Sequence, residues 1–302
     1  MFYYFRMFQT EVMQNLELYG YGESVASNMA RVALAEKKIS YKYNLIYLES
    51  KGDHLAKEYK KLNPKNLVPT LIDNGVPIPD SIKIMRHIDS SHPRQGEVLF
   101  PSTVDIETFE NLLDFVALDE SKELGDTLGT TAGGISAQIL VKLLCKRPII
   151  SVIWDYLTKH SIKKRVPIFI LLRILGKPPK SLSQKMAVML AKHLLTIEKV
   201  LNHQREFMMG DDYTAIDCCM TSILHRVQEM RFGSVLKSDK LPNLKNYWKT
   251  LSSRGSYKDG ILDYATGEWA PEITALYGDG PNEFDDLVWS EINNSLLIGE
   301  NE

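Results

Sequence analysis

Cysteine is scarce in this chain: Cys145, Cys218 and Cys219 are all it has in 302 residues. They form no C-x-x-C pair and no set spaced to hold a metal, so no metal centre is expected. So sparse and odd a count excludes a disulfide scaffold and fits a reducing, cytoplasmic setting. An excess of charge of one sign is also lacking. The formal net charge is −2, which excludes a global field for nucleic acid. No stretch approaches eighteen uncharged apolar residues, so no transmembrane helix is expected. The N-terminus, MFYYFRMFQTEVMQ, is aromatic but has no long apolar run and no small-residue cleavage site, and is not expected to be a secretory signal. There is no internal repeat and no low-complexity tract. The rest, 44% hydrophobic and 25% charged, has the composition of a globular protein long enough for two domains.

The first ninety residues alternate strand-like and helix-like patterns. Leu16 to Gly20 reads as a short strand ended by glycine. Val25, Met29, Val32 and Ala33 then share one face of a helix. Ser40 to Leu48 is β-branched and aromatic, a second strand. His54 to Leu62 suits a short helix that Asn63-Pro64 stops. Val68 to Ile78 places two strands around Asn74-Gly75, a hairpin signal, and Asp80 or Ser81 caps a further helix. The order β-α-β-α-β-β-α predicts a small α/β domain with one mixed sheet. Beyond SHPRQGEVLFPST the apolar spacing is helical throughout. We therefore expect an N-terminal extension (1–15), an α/β domain (16–92), a linker (93–104) and an all-α domain (105–302). The last contains an insertion over about 130–180 and an acidic tail over about 265–302, expected to be packed or partly ordered.

The turn YGYGESVASNMAR, residues 19–31, admits three readings. As a phosphate loop it fails, because Val25 stands where the third glycine of G-x-G-x-x-G belongs. Ser24 as an N-cap would accept a bond from a backbone amide near Ser27. The same helix N-terminus would also stabilise a thiolate that accepts a bond from the serine hydroxyl. The turn alone does not choose between the last two.

Residues further on do. Asn63-Pro64, Val68-Pro69-Thr70-Leu71, a short hairpin and Asp80-Ser81 opening a helix resemble the glutathione-binding half of glutathione transferases. Ser24, Ser27, Arg31, Ala33 and Leu34 fall into the frame of that family's serine-type classes, phi and zeta. The resemblance implies a thioredoxin-like domain followed by an all-helical one, with glutathione as cofactor. It implies that Ser24 activates the glutathione thiol and that Pro69 is cis, with Val68 giving main-chain bonds to the glutathione cysteine. It further implies that Ser81 binds the γ-glutamyl carboxylate, that Asp80 pairs with the amino group, where most members have glutamate, and that His54 meets the glycyl carboxylate. Ala26 stands where dehalogenase-like members carry a cysteine, which argues against chemistry through a protein thiol. Tyr19 and Tyr21 bracket the tyrosine-type position without matching it. Leu67 replaces the usual polar residue before Val-Pro, and one glutathione contact is expected to be lost.

In the second domain Thr214 and Asp217 form a T-x-x-D capping box. The basic and apolar segment from Val141 to Lys185 would line a substrate pocket, lie on a membrane surface as a peripheral contact, or form an ordinary core helix pair with a solvated basic face. The last is the plainest expectation. The resemblance implies a glutathione-dependent transferase, commonly a homodimer, whose hydrophobic electrophile sits against the helix from Ile106 to Leu118. Alternatives are a glutathione-dependent isomerase or lyase, and a non-catalytic ligand-binding or scaffold protein on the same fold.

Overall fold

The computed structural model describes residues 16–201 and 205–299. The expected N-terminal extension, 1–15, lies outside the described residues. Four strands form one sheet: β1 (Leu16–Gly20), β2 (Lys42–Leu45), β3 (Thr70–Asp73) and β4 (Val76–Pro79), in the order β2-β1-β3-β4. β1 runs parallel to β2 and antiparallel to β3, and β3 pairs antiparallel with β4. The mixed sheet is the one the sequence pattern predicts. Asn74 and Gly75 close the hairpin with φ of 48° and 83°, the two positive angles of a type I′ turn. β2 is shorter than its strand-like composition, because β1 offers register partners only from Lys42 to Leu45.

Three helices belong to this domain: α1 (Val25–Glu36), α2 (Lys57–Leu62) and α3 (Ser81–Ser91). The helix expected over His54–Leu62 is split at Ala56, whose ψ of 146° separates a 3-10 turn, Asp53–Leu55, from α2. Asn63 ends α2 in an extended conformation, as the following proline requires. α1 is buried nearly all round, the mark of a helix packed on both sides. One side meets the sheet domain. The other meets the helical domain, where Arg31 Nε donates to the Gly260 carbonyl at 2.8 Å and Arg254 forks onto Glu36 at 2.7 and 2.8 Å.

The second domain contains α4 (Ile106–Val116), α5 (Leu128–Gly134), α6 (Ala137–Cys145), α7 (Ile149–Thr158), α8 (Val166–Leu175), α9 (Lys180–Val200) and α10 (Ala215–Val227), then α11 (Pro242–Ser253), α12 (Gly255–Gly260), α13 (Trp269–Tyr277) and α14 (Asp285–Gly299). Among its described residues no strand occurs beyond an isolated bridge between Phe207 and Gly210. The capping box is present: the Asp217 carboxylate accepts from the Thr214 amide at 2.8 Å and also from the Met208 amide and the Tyr247 hydroxyl.

One expectation needs correction, that for the insertion, and one apolar stretch needs placing. Leu128–Cys145, which carries Lys142, is apolar enough to cross a membrane by length and composition, with a mean hydropathy of 1.3. It is 67% buried inside the protein and broken into α5 and α6 at Ile135 and Ser136, so it serves as core. The insertion is not an ordinary core helix pair. α8 buries Val166 alone, and α7 only Val152 and Tyr156. Apolar residues run round both helices, and only one side of each meets protein. The tail is packed: α14 lies on α9 with Val288 and Ile292 fully buried.

Candidate functional site

The turn between β1 and α1 is held from both sides. The Ser24 Oγ accepts from the Ser27 amide at 3.2 Å, with the extended backbone of an N-cap. The Ser27 hydroxyl in turn accepts from the Tyr21 amide at 3.3 Å. The buried guanidinium of Arg31 donates to the Tyr21 and Gly22 carbonyls at 3.2 and 2.6 Å, and Arg226 reaches the Glu23 carbonyl from α10. Gly22 is required by contact: a Cβ there would lie 2.2 Å from the Tyr264 carbonyl. The chain after α12 therefore straps across the turn. Thr266 donates through its amide and hydroxyl to the Glu23 carboxylate at 2.8 and 2.7 Å. The turn's carbonyls point into these clamps, and Ser24, Val25 and Ala26, at the partially positive N-terminus of α1, line the cleft.

Tyr21 lines the cleft but is not positioned to activate a thiol. Its hydroxyl donates to Glu268 at 2.8 Å and accepts from the Trp269 indole at 3.1 Å. Burial, with the Glu23 and Glu268 charges, pushes its phenol far above the ordinary tyrosine range. Tyr19 points its hydroxyl at Glu17.

The facing wall comes from the segment between α2 and α3. The Tyr59 hydroxyl and the Asn63 amide both donate to the Leu67 carbonyl, at 2.6 and 2.7 Å. They fix the loop that delivers Val68, and the Val68–Pro69 peptide is cis. Asp80 caps α3, accepting from the Ile82 and Lys83 amides at 2.9 and 3.1 Å. Its φ of 82° is a left-handed conformation, uncommon for a residue with a side chain and concentrated at functional sites. Ser81 is buried at the first turn of α3, its hydroxyl 3.8 Å from the Met29 sulfur.

His54 is buried on the cleft wall and its Nδ1 has no hydrogen-bond partner. Burial, with His160 and Arg147 nearby, lowers its pKa to about 3. The imidazole is therefore neutral at neutral pH and meets a ligand as a hydrogen-bonding group rather than a cation. Glu49, also buried on the wall, has an unpartnered Oε2. Burial pushes its carboxyl up to about 7.

Ser24, His54, Val68, Pro69, Asp80 and Ser81 all line one cleft of about 550 Å³, within the range that holds a small ligand. Its other walls are Leu118, Leu124, Leu140, Tyr156, Phe169 and Trp269. Of the stretch from Ile106 to Leu118, expected to form the substrate wall, only Leu118 reaches the cleft. α4 turns Phe109, Leu113 and Val116 into the core instead. The insertion supplies that wall, with Tyr156 stacked on His160 and Phe169 tilted against both, at ring separations of 4.9 to 6.0 Å. Sequence reasoning missed Glu49 and Trp269. Neither carries a motif, and each becomes a wall residue only through partners far along the chain. None of the three cysteines lines the cleft.

Residues 24–91 match the family model described as glutathione S-transferase, N-terminal domain, and residues 157–255 the one described as glutathione S-transferase, C-terminal domain. The glutathione S-transferase Z1 of Arabidopsis thaliana is 39% identical over 80 residues, 26% of this chain and 36% of the relative. The maleylacetoacetate isomerase of Dictyostelium discoideum is 43% identical over 77 residues, 25% of this chain and 35% of the relative. The chain thus matches about a third of the length of these curated relatives. The crystal structure of the β-etherase LigF from Sphingobium sp. strain SYK-6 superposes with a TM-score of 0.67 over 83% of this chain and all of that one, at 17% identity, a likeness of fold alone. The two matched domains together span more than half of the chain, and it belongs to the glutathione S-transferase family.

Proposed function

We propose that the protein is a glutathione-dependent transferase acting on a hydrophobic electrophile. The observation that carries this is convergence. Six residues spread from Ser24 to Ser81 meet on one cleft whose walls hold no cysteine, so a thiol for the helix N-terminus must come from a ligand. Glutathione would lie across the first domain. Its γ-glutamyl carboxylate would take the amide end of α3 at Ser81 and its amino group the Asp80 carboxylate. The Val68 main chain would hold the cysteine, and His54 would face the glycyl end. The thiolate would sit at the start of α1, where the helix field and the Ser24 hydroxyl lower its pKa from the free value of about 8.5 and raise the reactive fraction near neutral pH. The electrophile would occupy the apolar half of the cleft. The protein would act in the cytoplasm as a homodimer.

A second reading is isomerisation or lyase chemistry with glutathione as a recycled cofactor. The maleylacetoacetate isomerase among the similar relatives favours it. Product analysis separates the two: a transferase consumes one glutathione per turnover and an isomerase consumes none. Calorimetry comes first. Binding of glutathione below millimolar concentration supports both readings, and no binding at millimolar concentration leaves a scaffold protein on this fold.

A further inference from the structure

α7 and α8 form an antiparallel hairpin. Arg173 near the end of α8 donates to the Arg147 carbonyl just before α7 at 2.9 Å, and Tyr156 meets Phe169 at the other end. Its inner face, with Tyr156 and Phe169, is a cleft wall. Its outer face is apolar and bare. On α7, Ile150 is 80% exposed and Trp154 65%, and Leu157 continues their stripe at helical spacing. On α8, Ile168, Leu171 and Ile174 are each more than half exposed. Each stripe lies on the side of its helix turned away from Tyr156 or Phe169, the reverse of the polar outer face of an ordinary surface helix.

The charge around this face is equally lopsided. From Lys146 to Lys180 there are nine lysines and arginines and one acid, Asp155, in a chain of net charge −2. Asp155 is already paired with Arg147 and Lys159. Exposed Lys159, Lys163 and Lys164 rim the face at the turn between the helices, and Lys177 and Lys180 rim its other end, where Lys146 is paired with Glu272 of α13. We propose that this face docks the protein on an anionic lipid bilayer. The Ile, Leu and Trp stripes would lie at the acyl boundary and the lysines at headgroup phosphates. A second copy of the chain is disfavoured as the occupant, because a two-fold contact through this face would set one cationic rim against another. The proposal stands independently of the catalytic reading.

The test is flotation of the full chain with vesicles of phosphatidylcholine alone and of phosphatidylcholine mixed with phosphatidylserine. The expected result is binding to the mixed vesicles, weakened by salt. Trp154→Ser combined with Leu171→Ser and Ile174→Ser should weaken it on the order of a hundredfold, with an unchanged circular dichroism spectrum. Should that variant misfold, Lys163→Glu with Lys164→Glu leaves the apolar stripes intact and is expected to abolish the preference for phosphatidylserine. Wild-type protein that stays off the mixed vesicles at low salt overturns the proposal. So does a folded triple variant that floats like wild type, or one whose mass by light scattering falls from dimer to monomer, which would give the face to a protein partner.

Discussion

The Ser24 hydroxyl has one proton and two acceptor lone pairs. The Ser27 amide takes a lone pair, which leaves the proton to be donated into the cleft. Cap and thiolate partner are thus compatible roles of one oxygen, as the sequence reading of the turn together with Val68-Pro69 and Asp80-Ser81 already implied. Glu49 shows a different residue-scale effect. Its carboxyl is raised to about 7 by burial, so between its ordinary 4.5 and 7 the folded protein binds a proton that the unfolded chain has lost. Stability from this group is full below pH 4.5 and falls as pH rises through 7. Glu49→Gln should therefore match wild type in urea unfolding at about pH 4.5 and exceed it by up to about 3 kcal/mol at about pH 8. An equal difference at both pH values would show that Glu49 does not titrate in this range.

At the scale of elements, α3 and α10 were legible because their starts are written locally. Asp80-Ser81 and Thr214-x-x-Asp217 are capping signals, and both caps form. Asp217 goes further than its motif: buried, it also ties α10 to Met208 and to Tyr247 of α11. Asp217→Asn keeps the size but places an amide donor against groups that themselves donate. It should cost about 3 kcal/mol in denaturant unfolding; a loss below about 1 kcal/mol would reduce Asp217 to a simple cap. The insertion was not legible. Its apolar residues lie all round α7 and α8, so spacing gave no single buried face. Only the fold shows that one side walls the cleft and the other is bare.

For the whole molecule, the site depends on contacts between distant parts of the chain. Arg31 joins the turn at Tyr21 and Gly22 to Gly260 of α12, with the Tyr264 ring 4.5 Å from its guanidinium. Trp269 reaches Tyr21 from α13, and Arg226 lies over Trp269 at 3.9 Å. The glutathione half was readable because its residues cluster within sixty positions and resemble a family. The other half was not, because its residues meet only when the tail and the insertion fold back on the first domain. Arg31→Lys should not rescue what Arg31→Met loses, because one ammonium cannot supply a fork of donors to three carbonyls. Both variants are expected to lose about 3 kcal/mol or more of stability and to bind glutathione more weakly. A lysine variant as stable as wild type would place the hold on the turn elsewhere.

The central claim is that a bound glutathione thiol meets the Ser24 hydroxyl at the start of α1. The direct measurement is the pH titration of the thiolate absorbance of glutathione bound to wild type and to Ser24→Ala. The account predicts a pKa below the free value of about 8.5 in wild type and a return toward it in the variant, whose fold loses only about 1 kcal/mol. A bound thiol that titrates identically in both proteins would contradict it.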